Sequence, residues 1–345
     1  MDRYIISLEN INEFDQYVVS WFIEVAFLYF QGIDRVDIHK LARSDYKSII
    51  GQVHSEASNY LKEFTDPKVC EVPPIPLTTN DDKKLLTLCK AVDMLGEASR
   101  EKIESYPIPP ALSFEFTEYV RSYMPRQTDK FMKRQAVKIA SDALALAILG
   151  AHISQVYRID SEYAYSFVKT FHPSLIDVKR LHGMTKSVAR AIAEGEGSRL
   201  ALLVGVSAAI VLNLGRHLYE FRERALYTSV RITRTGQKTM LKAFERIDLT
   251  DLARTIDRLG IASPIYNLVI RYPRKEKRER DKSERTLRSI IEELAKAVLI
   301  YHNHRDVIEL YRVLRTMSSE QIQSSLGSIL DSWPMIRDSL LNIRV

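Results

Sequence analysis

The longest uncharged stretch of this chain, residues 200–215, places the strongest constraint on its fold. It has 16 residues, LALLVGVSAAIVLNLG, of which only Ser207 and Asn213 are polar. A helix that crosses a bilayer needs roughly 20 apolar residues, so the stretch predicts a helix buried in a protein core. The first ten residues, MDRYIISLEN, lack the basic and then apolar order of a signal peptide. We therefore expect a cytoplasmic protein with no membrane association.

Other apolar patterns predict further helices. Residues 14–30 are apolar on nearly every side, as in a deeply buried helix. Helices are also predicted at 174–194 and 199–222, with Gly195-Glu196-Gly197 as the break between them. From Leu287 onward, apolar residues recur at offsets 3, 4, 7, 8, 11 and 12, which predicts an amphipathic helix in a small carboxy-terminal bundle.

A few segments have strand character. Residues 156–171 are rich in valine and aromatic residues around a polar turn, which suits a hairpin, and residues 227–233 and 265–272 are two more strand candidates. The predicted fold is mainly α (α+β): a large helical domain with a few short strands and a carboxy-terminal helical bundle. We place one domain boundary, between an amino-terminal domain at 1–235 and a carboxy-terminal domain at 236–345.

Catalytic and metal-binding signatures are not found in the sequence. It contains no GxxxxGK phosphate loop, GxGxxG turn, GxSxG elbow or HExxH pair. Cys70 and Cys89 are its only cysteines, and they form no CxxC pair and have no histidine at metal-ligand spacing, so neither a zinc site nor a disulfide framework is supported. We expect a protein that is not an enzyme and that carries no cofactor or metal.

Charge is distributed unevenly along the chain. Residues 1–100 contain 11 Lys+Arg and 16 Asp+Glu, whereas residues 101–300 contain 34 and 23. The middle of the chain is therefore basic, by 34 − 23 = +11, although the net charge of the whole chain is only +6. This asymmetry favours a surface that meets polyanions.

The strongest candidate for that surface is a segment without acidic residues between Glu223 and Glu245. Its central cations are Arg231, Arg234, Lys238 and Lys242. If residues 234–246 form a helix, the last three of these cations share one face and are spaced to bind phosphates. The alternative is an amphipathic helix whose polar face happens to be basic.

Two other basic segments complete the predicted nucleic-acid site. The run RKEKRERDK, residues 274–282, follows the strand candidate at 265–272 and supplies a possible clamp, although a solvated linker with internal ion pairs explains it equally well. A second segment interleaves basic residues with aromatic ones, as in proteins that follow a sugar–phosphate backbone. The predicted contacts are Arg274, Lys275, Lys277, Arg278 and Arg280 in the run, and Arg126, Lys130, Lys133 and Arg134 in the second segment.

A weaker basic stretch lies within the predicted helix at 174–194. It contains Lys179, Arg180, His182, Lys186 and Arg190, with Asp177 as its only close acid. We do not include it among the predicted contacts.

The chain resembles the large subunit of archaeal type I-A CRISPR interference (Cascade) complexes. The resemblance is carried by RITRTGQKTMLKAFERIDLTDLA, by SPIYNLVIRYP and by the helical carboxy-terminal region, and it covers about the last two thirds of the chain. It implies a non-catalytic subunit that contacts guide RNA, target DNA and the other subunits, and helps to recognise the motif flanking the target. The family has no residue motif to carry over, so the predicted contacts come from charge placement.

Two other functions stay open at this point. One is a structural helical subunit that binds protein neighbours and has no direct nucleic-acid contact. The other is an enzyme with an unfamiliar site, such as a nuclease that uses scattered acids.

Overall fold

Helices form most of this protein, as predicted. The computed structural model describes residues 5–33, 43–78, 80–100, 102–115, 138–159, 161–173, 176–220, 223–236, 238–274 and 282–317. The α-helices are α1 (Val18–Gln31), α2 (Arg43–Lys62), α3 (Leu88–Ala98), α4 (Ser141–Ser154), α5 (Val178–Glu194), α6 (Arg199–Leu214), α7 (His217–Glu220), α8 (Thr250–Arg258), α9 (Ala262–Val269), α10 (Lys282–His304) and α11 (Ile308–Met317).

The strands of the described residues form two small sheets. They are β1 (Ile5–Ile6), β2 (Ser105–Pro107), β3 (Lys138–Ala140), β4 (Gln155–Ile159), β5 (Glu162–Thr170), β6 (Ala225–Thr235) and β7 (Lys238–Asp248). One sheet has the order β1-β3-β2, with β1 parallel and β2 antiparallel to β3. The other has the order β4-β5-β6-β7, in which β4 and β5 form the predicted antiparallel hairpin. These strands confirm the minor β component of the predicted fold.

The chain divides into two compact units. Unit 1 comprises Met1–Phe167 and Thr228–Glu245, and unit 2 comprises Val168–Tyr227 and Arg246–Val345. The predicted boundary at 235/236 falls inside the second segment of unit 1. That segment belongs there because β6 pairs with β5 in the four-stranded sheet, an association that no local pattern in the sequence reveals.

Unit 1 is organised around the packing of α1 on α4. Nearly every side chain of α1 is buried, including Trp21, Phe22 and Phe27, which confirms the buried helix predicted at 14–30, although it begins at Val18. The two helices approach so closely at Gly150 that an added Cβ would overlap the backbone of Phe22. Helix α4 begins at Ser141, directly after β3.

Unit 2 is built around α6, the uncharged stretch that was predicted to be buried. Helices α5, α8, α9 and α10 all pack against it. Gly205 allows a close approach, since a Cβ there would lie 2.8 Å from both Val188 Cγ1 and Val269 Cγ1. The described parts of the predicted carboxy-terminal bundle are α10 and α11, and residues 318–345 lie outside the described residues.

Two predictions of local structure are wrong. Residues 265–272 were predicted to be a strand, but α9 and the segment after it occupy this position. Ile265, Leu268 and Val269 are buried at helical spacing against the core of unit 2, so tertiary packing overrides the β preference of the run.

The second wrong prediction concerns the cysteines, for which no disulfide was supported. The structure pairs Cys70 with Cys89, whose Cα atoms are 5.1 Å apart. Cys70 ends the 3-10 turn Pro67–Cys70 and Cys89 lies in the first turn of α3, and the proline-rich connection between them folds back. The spacing of two cysteines in a sequence does not reveal that the chain folds back and brings them together.

Candidate nucleic-acid interface

The hairpin of β6 and β7 carries the four central cations of the predicted site. The shared face of Arg234, Lys238 and Lys242 depended on a helix at 234–246, and the structure has two strands there instead: β6 ends at Thr235 and β7 begins at Lys238. Gly236 lies in the connection with a φ of 61°, a left-handed conformation that suits glycine in a tight turn. Because only two residues connect β6 and β7, the two strands are antiparallel.

The side chains of β7 alternate along the strand. Lys238, Met240 and Lys242 are exposed, whereas Thr239 and Leu241 between them are half-buried. The two lysines therefore share one face of a strand at the edge of the described sheet. Four residues along a strand span about 13 Å, compared with about 6 Å along a helix. The lysines are thus spaced to contact two separate phosphates.

Arg231 is partly neutralised by an acidic neighbour. Its Nη1 lies 3.9 Å from Oε1 of Glu162, and the same oxygen accepts a hydrogen bond of 2.7 Å from the Tyr157 hydroxyl. Burial, together with this bond to Glu162, raises the pKa of Tyr157 to about 12. Tyr157 stays neutral at physiological pH, and Glu162 partly offsets the charge of Arg231.

Arg234 is directed back onto the hairpin turn. Its Nε donates to the carbonyl oxygen of Gly236 at 2.9 Å, and its backbone N–H donates to Ser161 at 2.8 Å. This arginine therefore stabilises the turn.

Lys238 and Lys242 form no ion pair or hydrogen bond with other described residues. They are therefore the cations of this hairpin that remain available to a ligand.

The other predicted contacts are only partly described. Arg274 forms an ion pair of 2.9 Å between its Nε and Oε2 of Glu194, so it is held against α5. The remaining predicted contacts lie outside the described residues: Lys275, Lys277, Arg278, Arg280, Arg126, Lys130, Lys133 and Arg134.

Two cations of the weaker basic stretch at 174–194, which was left out of the predicted contacts, lie next to Arg274 in the structure. Lys186 and Arg190 line a cavity of about 300 Å³ on α5, together with Arg274. Their spacing of four residues on a helix puts them on one face, and this was the available signal. The sequence does not show that Arg274 lies opposite them.

The described residues contain no group of three or more His, Cys, Asp or Glu side chains placed to hold a metal ion. Within the same ranges, no helix is both long enough and apolar enough to span a membrane. No family model, curated protein or solved structure matches this chain.

Proposed function

We propose that this chain is a non-catalytic nucleic-acid-binding subunit of an archaeal type I-A CRISPR interference complex. In this role it helps to recognise and hold target DNA beside the guide RNA and contacts the other subunits of the complex in the cytoplasm. The assignment to this complex rests on the resemblance carried by the segments around the β6–β7 hairpin and by the carboxy-terminal helices.

The observation that carries nucleic-acid binding is the placement of Lys238 and Lys242. Both side chains are exposed on one face of β7 and form no ion pair within the described chain. No carboxylate of the described chain pairs with either lysine, and an extended phosphate backbone offers several charges along one line. Binding of this kind depends on the backbone and needs no particular base sequence.

The test is a double charge reversal on this strand. We expect K238E/K242E to bind short DNA or RNA about tenfold more weakly than the parent at 50 mM salt, a change of roughly 1.4 kcal/mol. The slope of log affinity against log salt should also fall by roughly 1.4 on single strands, since two phosphate contacts are lost.

A matched control separates this local effect from net charge. Lys83 and Lys84 are exposed lysines of unit 1 that lie far from β7 in sequence, and K83E/K84E changes the charge by the same amount. The proposed interface requires the control variant to bind like the parent. Equal losses in the two double variants would show that binding follows net charge alone.

The alternative is a structural subunit that binds only protein neighbours. It is favoured by one observation: β7 lies at a sheet edge and its exposed face includes Met240, which is 47% exposed. An edge strand can accept a strand from a partner, although edge lysines often prevent such pairing. In this case K238E/K242E would leave nucleic-acid affinity unchanged and reduce the recovery of protein neighbours.

A further inference from the structure

A basic groove lies along α5 in unit 2. Lys186, Arg190 and Glu194 are four residues apart and share one face of the helix. Gly183 lies one turn earlier and leaves the groove open, because an added Cβ there would meet nothing within 4 Å. The opposite wall is the segment that follows α9, and the groove between them has a volume of about 300 Å³. This is the lower end of the size range of small-molecule sites.

Close packing holds the opposite wall in place. The Tyr272 hydroxyl donates to Oε1 of Glu292 at 2.6 Å, and the same oxygen accepts the Ser198 backbone N–H at 2.9 Å. The Tyr272 ring packs directly on Gly195 and Gly197, where no Cβ fits. The wall is therefore formed before any ligand binds, and it places Arg274 at the mouth of the groove.

Among the described residues, cations outnumber acids in the lining of the groove. The charged side chains there are three cations, Lys186, Arg190 and Arg274, and one carboxylate, Glu194. Glu194 pairs with the Nε of Arg274 at 2.9 Å. A guanidinium has five N–H donors, and a single carboxylate does not use all of them. Arg274 can therefore bind Glu194 and an anion at the same time. Tyr272 is neutral, since burial and its bond to Glu292 raise its pKa well above the ordinary value.

The surroundings of Lys186 disfavour its charged form. Burial, followed by the charge of Arg190, lowers the pKa of Lys186 to about 8. A lysine in this environment is stabilised in its charged form when an anion enters the groove.

We propose that this groove binds a phosphate group of a nucleic-acid strand or of a free nucleotide, held by Lys186 and Arg190 with Arg274 at its mouth. This site goes beyond the proposed function, because its residues belong to unit 2 and those of the hairpin belong to unit 1. The tests of the hairpin and of the groove are therefore independent, and a negative result for one leaves the other standing.

The first experiment measures occupancy at Lys186 itself. The full-length protein is acylated at pH 8 with an amine-reactive ester, alone or with one of two probes, an oligothymidylate of about eight nucleotides or adenosine triphosphate. Peptide mapping then gives the labelling rate of each lysine. Lys179, which lies on the same helix but does not line the groove, is the internal control.

We expect at least a threefold slower labelling of Lys186 with one or both probes and an unchanged rate at Lys179. Protection by the oligonucleotide alone assigns the site to a strand, and protection by the nucleotide assigns it to free phosphate esters. Equal labelling of Lys186 with and without both probes would overturn the proposal.

The second experiment uses pH. A phosphodiester keeps its charge between pH 7 and 9, whereas Lys186 loses its proton as the pH rises through about 8. Oligonucleotide affinity should fall up to roughly tenfold over this range in the parent protein. In K186R, whose arginine stays charged, affinity should not fall over this pH range. At pH 7, K186Q/R190Q should bind the oligonucleotide more weakly than the control variant R180Q. A fall of the same size in the parent and K186R, or no fall in either, would contradict the proposal.

Discussion

Gly195 lies against the ring of Tyr272 so closely that an added Cβ would come within 3.0 Å of both the ring and the Pro273 carbonyl oxygen. The φ of Gly195 is −89°, which any residue adopts, so glycine is required here for space and not for backbone conformation. The contact joins the end of α5 to the segment that carries Arg274. The absence of a side chain at Gly195 therefore allows the contact with Tyr272 that positions one wall of the basic groove.

Gly195→Ala should destabilise the protein by about 1–3 kcal/mol, since the methyl group forces the ring or the backbone to move. Gly183→Ala, within α5, is the control, since the added methyl group meets nothing there. It should stabilise the protein by about 0.5–1 kcal/mol, because alanine is the better helix former. Urea denaturation of both variants measures the difference, and a similar change in both would contradict the steric account.

Tyr272→Phe should lower stability by about 1–2 kcal/mol. The hydroxyl donates to a carboxylate at 2.6 Å, and a hydrogen bond to a charged group contributes more than one between neutral groups. Tyr311→Phe, at a tyrosine that is 37% exposed, should change stability by less than about 0.5 kcal/mol. Thermal unfolding of the two variants tests this, and equal shifts would argue against a specific role for the Glu292 bond.

Removal of the disulfide should destabilise the protein. The Cys70–Cys89 bond closes a loop across a sequence separation of 19 residues, and a loop of that size is worth about 3 kcal/mol in the unfolded chain. We expect C70S/C89S to unfold at lower urea than the oxidised parent and to be insensitive to dithiothreitol. A parent protein whose midpoint does not respond to reductant would show that the pairing has no effect on stability.

Asp142 should make stability depend on pH. The carboxyl is 3% exposed, and burial raises its pKa above the ordinary value of 3.8 despite its hydrogen bond to Tyr46. Because the pKa is raised in the folded state, the contribution of Asp142 to stability is greatest below pH 3.8. This contribution is lost as the pH rises through the pKa of the folded state. The stability of the parent relative to Asp142→Asn should therefore decrease between pH 4 and pH 7.

Equilibrium unfolding of the parent and of Asp142→Asn across that pH range gives the measurement. Asp93→Asn removes a charge from an exposed position on α3 and controls for net charge. A difference between the parent and Asp142→Asn that stays constant with pH, or that increases, would contradict the buried carboxyl as its cause.

The hairpin shows why local pattern was insufficient for the candidate site. Met240, Leu241, Phe244 and Ile247 fit a helical period, yet exposed and half-buried side chains alternate from Lys238 to Ala243. Short apolar segments satisfy both periods, and only pairing with a neighbouring strand decides between them. In this protein the pairing of β7 with β6 decided it.

The buried helices are the part of the fold that the sequence determined by itself. Residues 18–30 and 200–215 are so largely apolar that burial is the favourable environment for them in water. The partner of each charge was decided only by the tertiary structure. Glu162 beside Arg231 and Glu194 beside Arg274 are far from their partners in sequence, and a Coulomb interaction depends on distance in space. For this reason sequence reasoning recognised that the middle of the chain is basic, but the structure was needed to separate the paired arginines from the exposed lysines of β7 and to reveal the groove on α5.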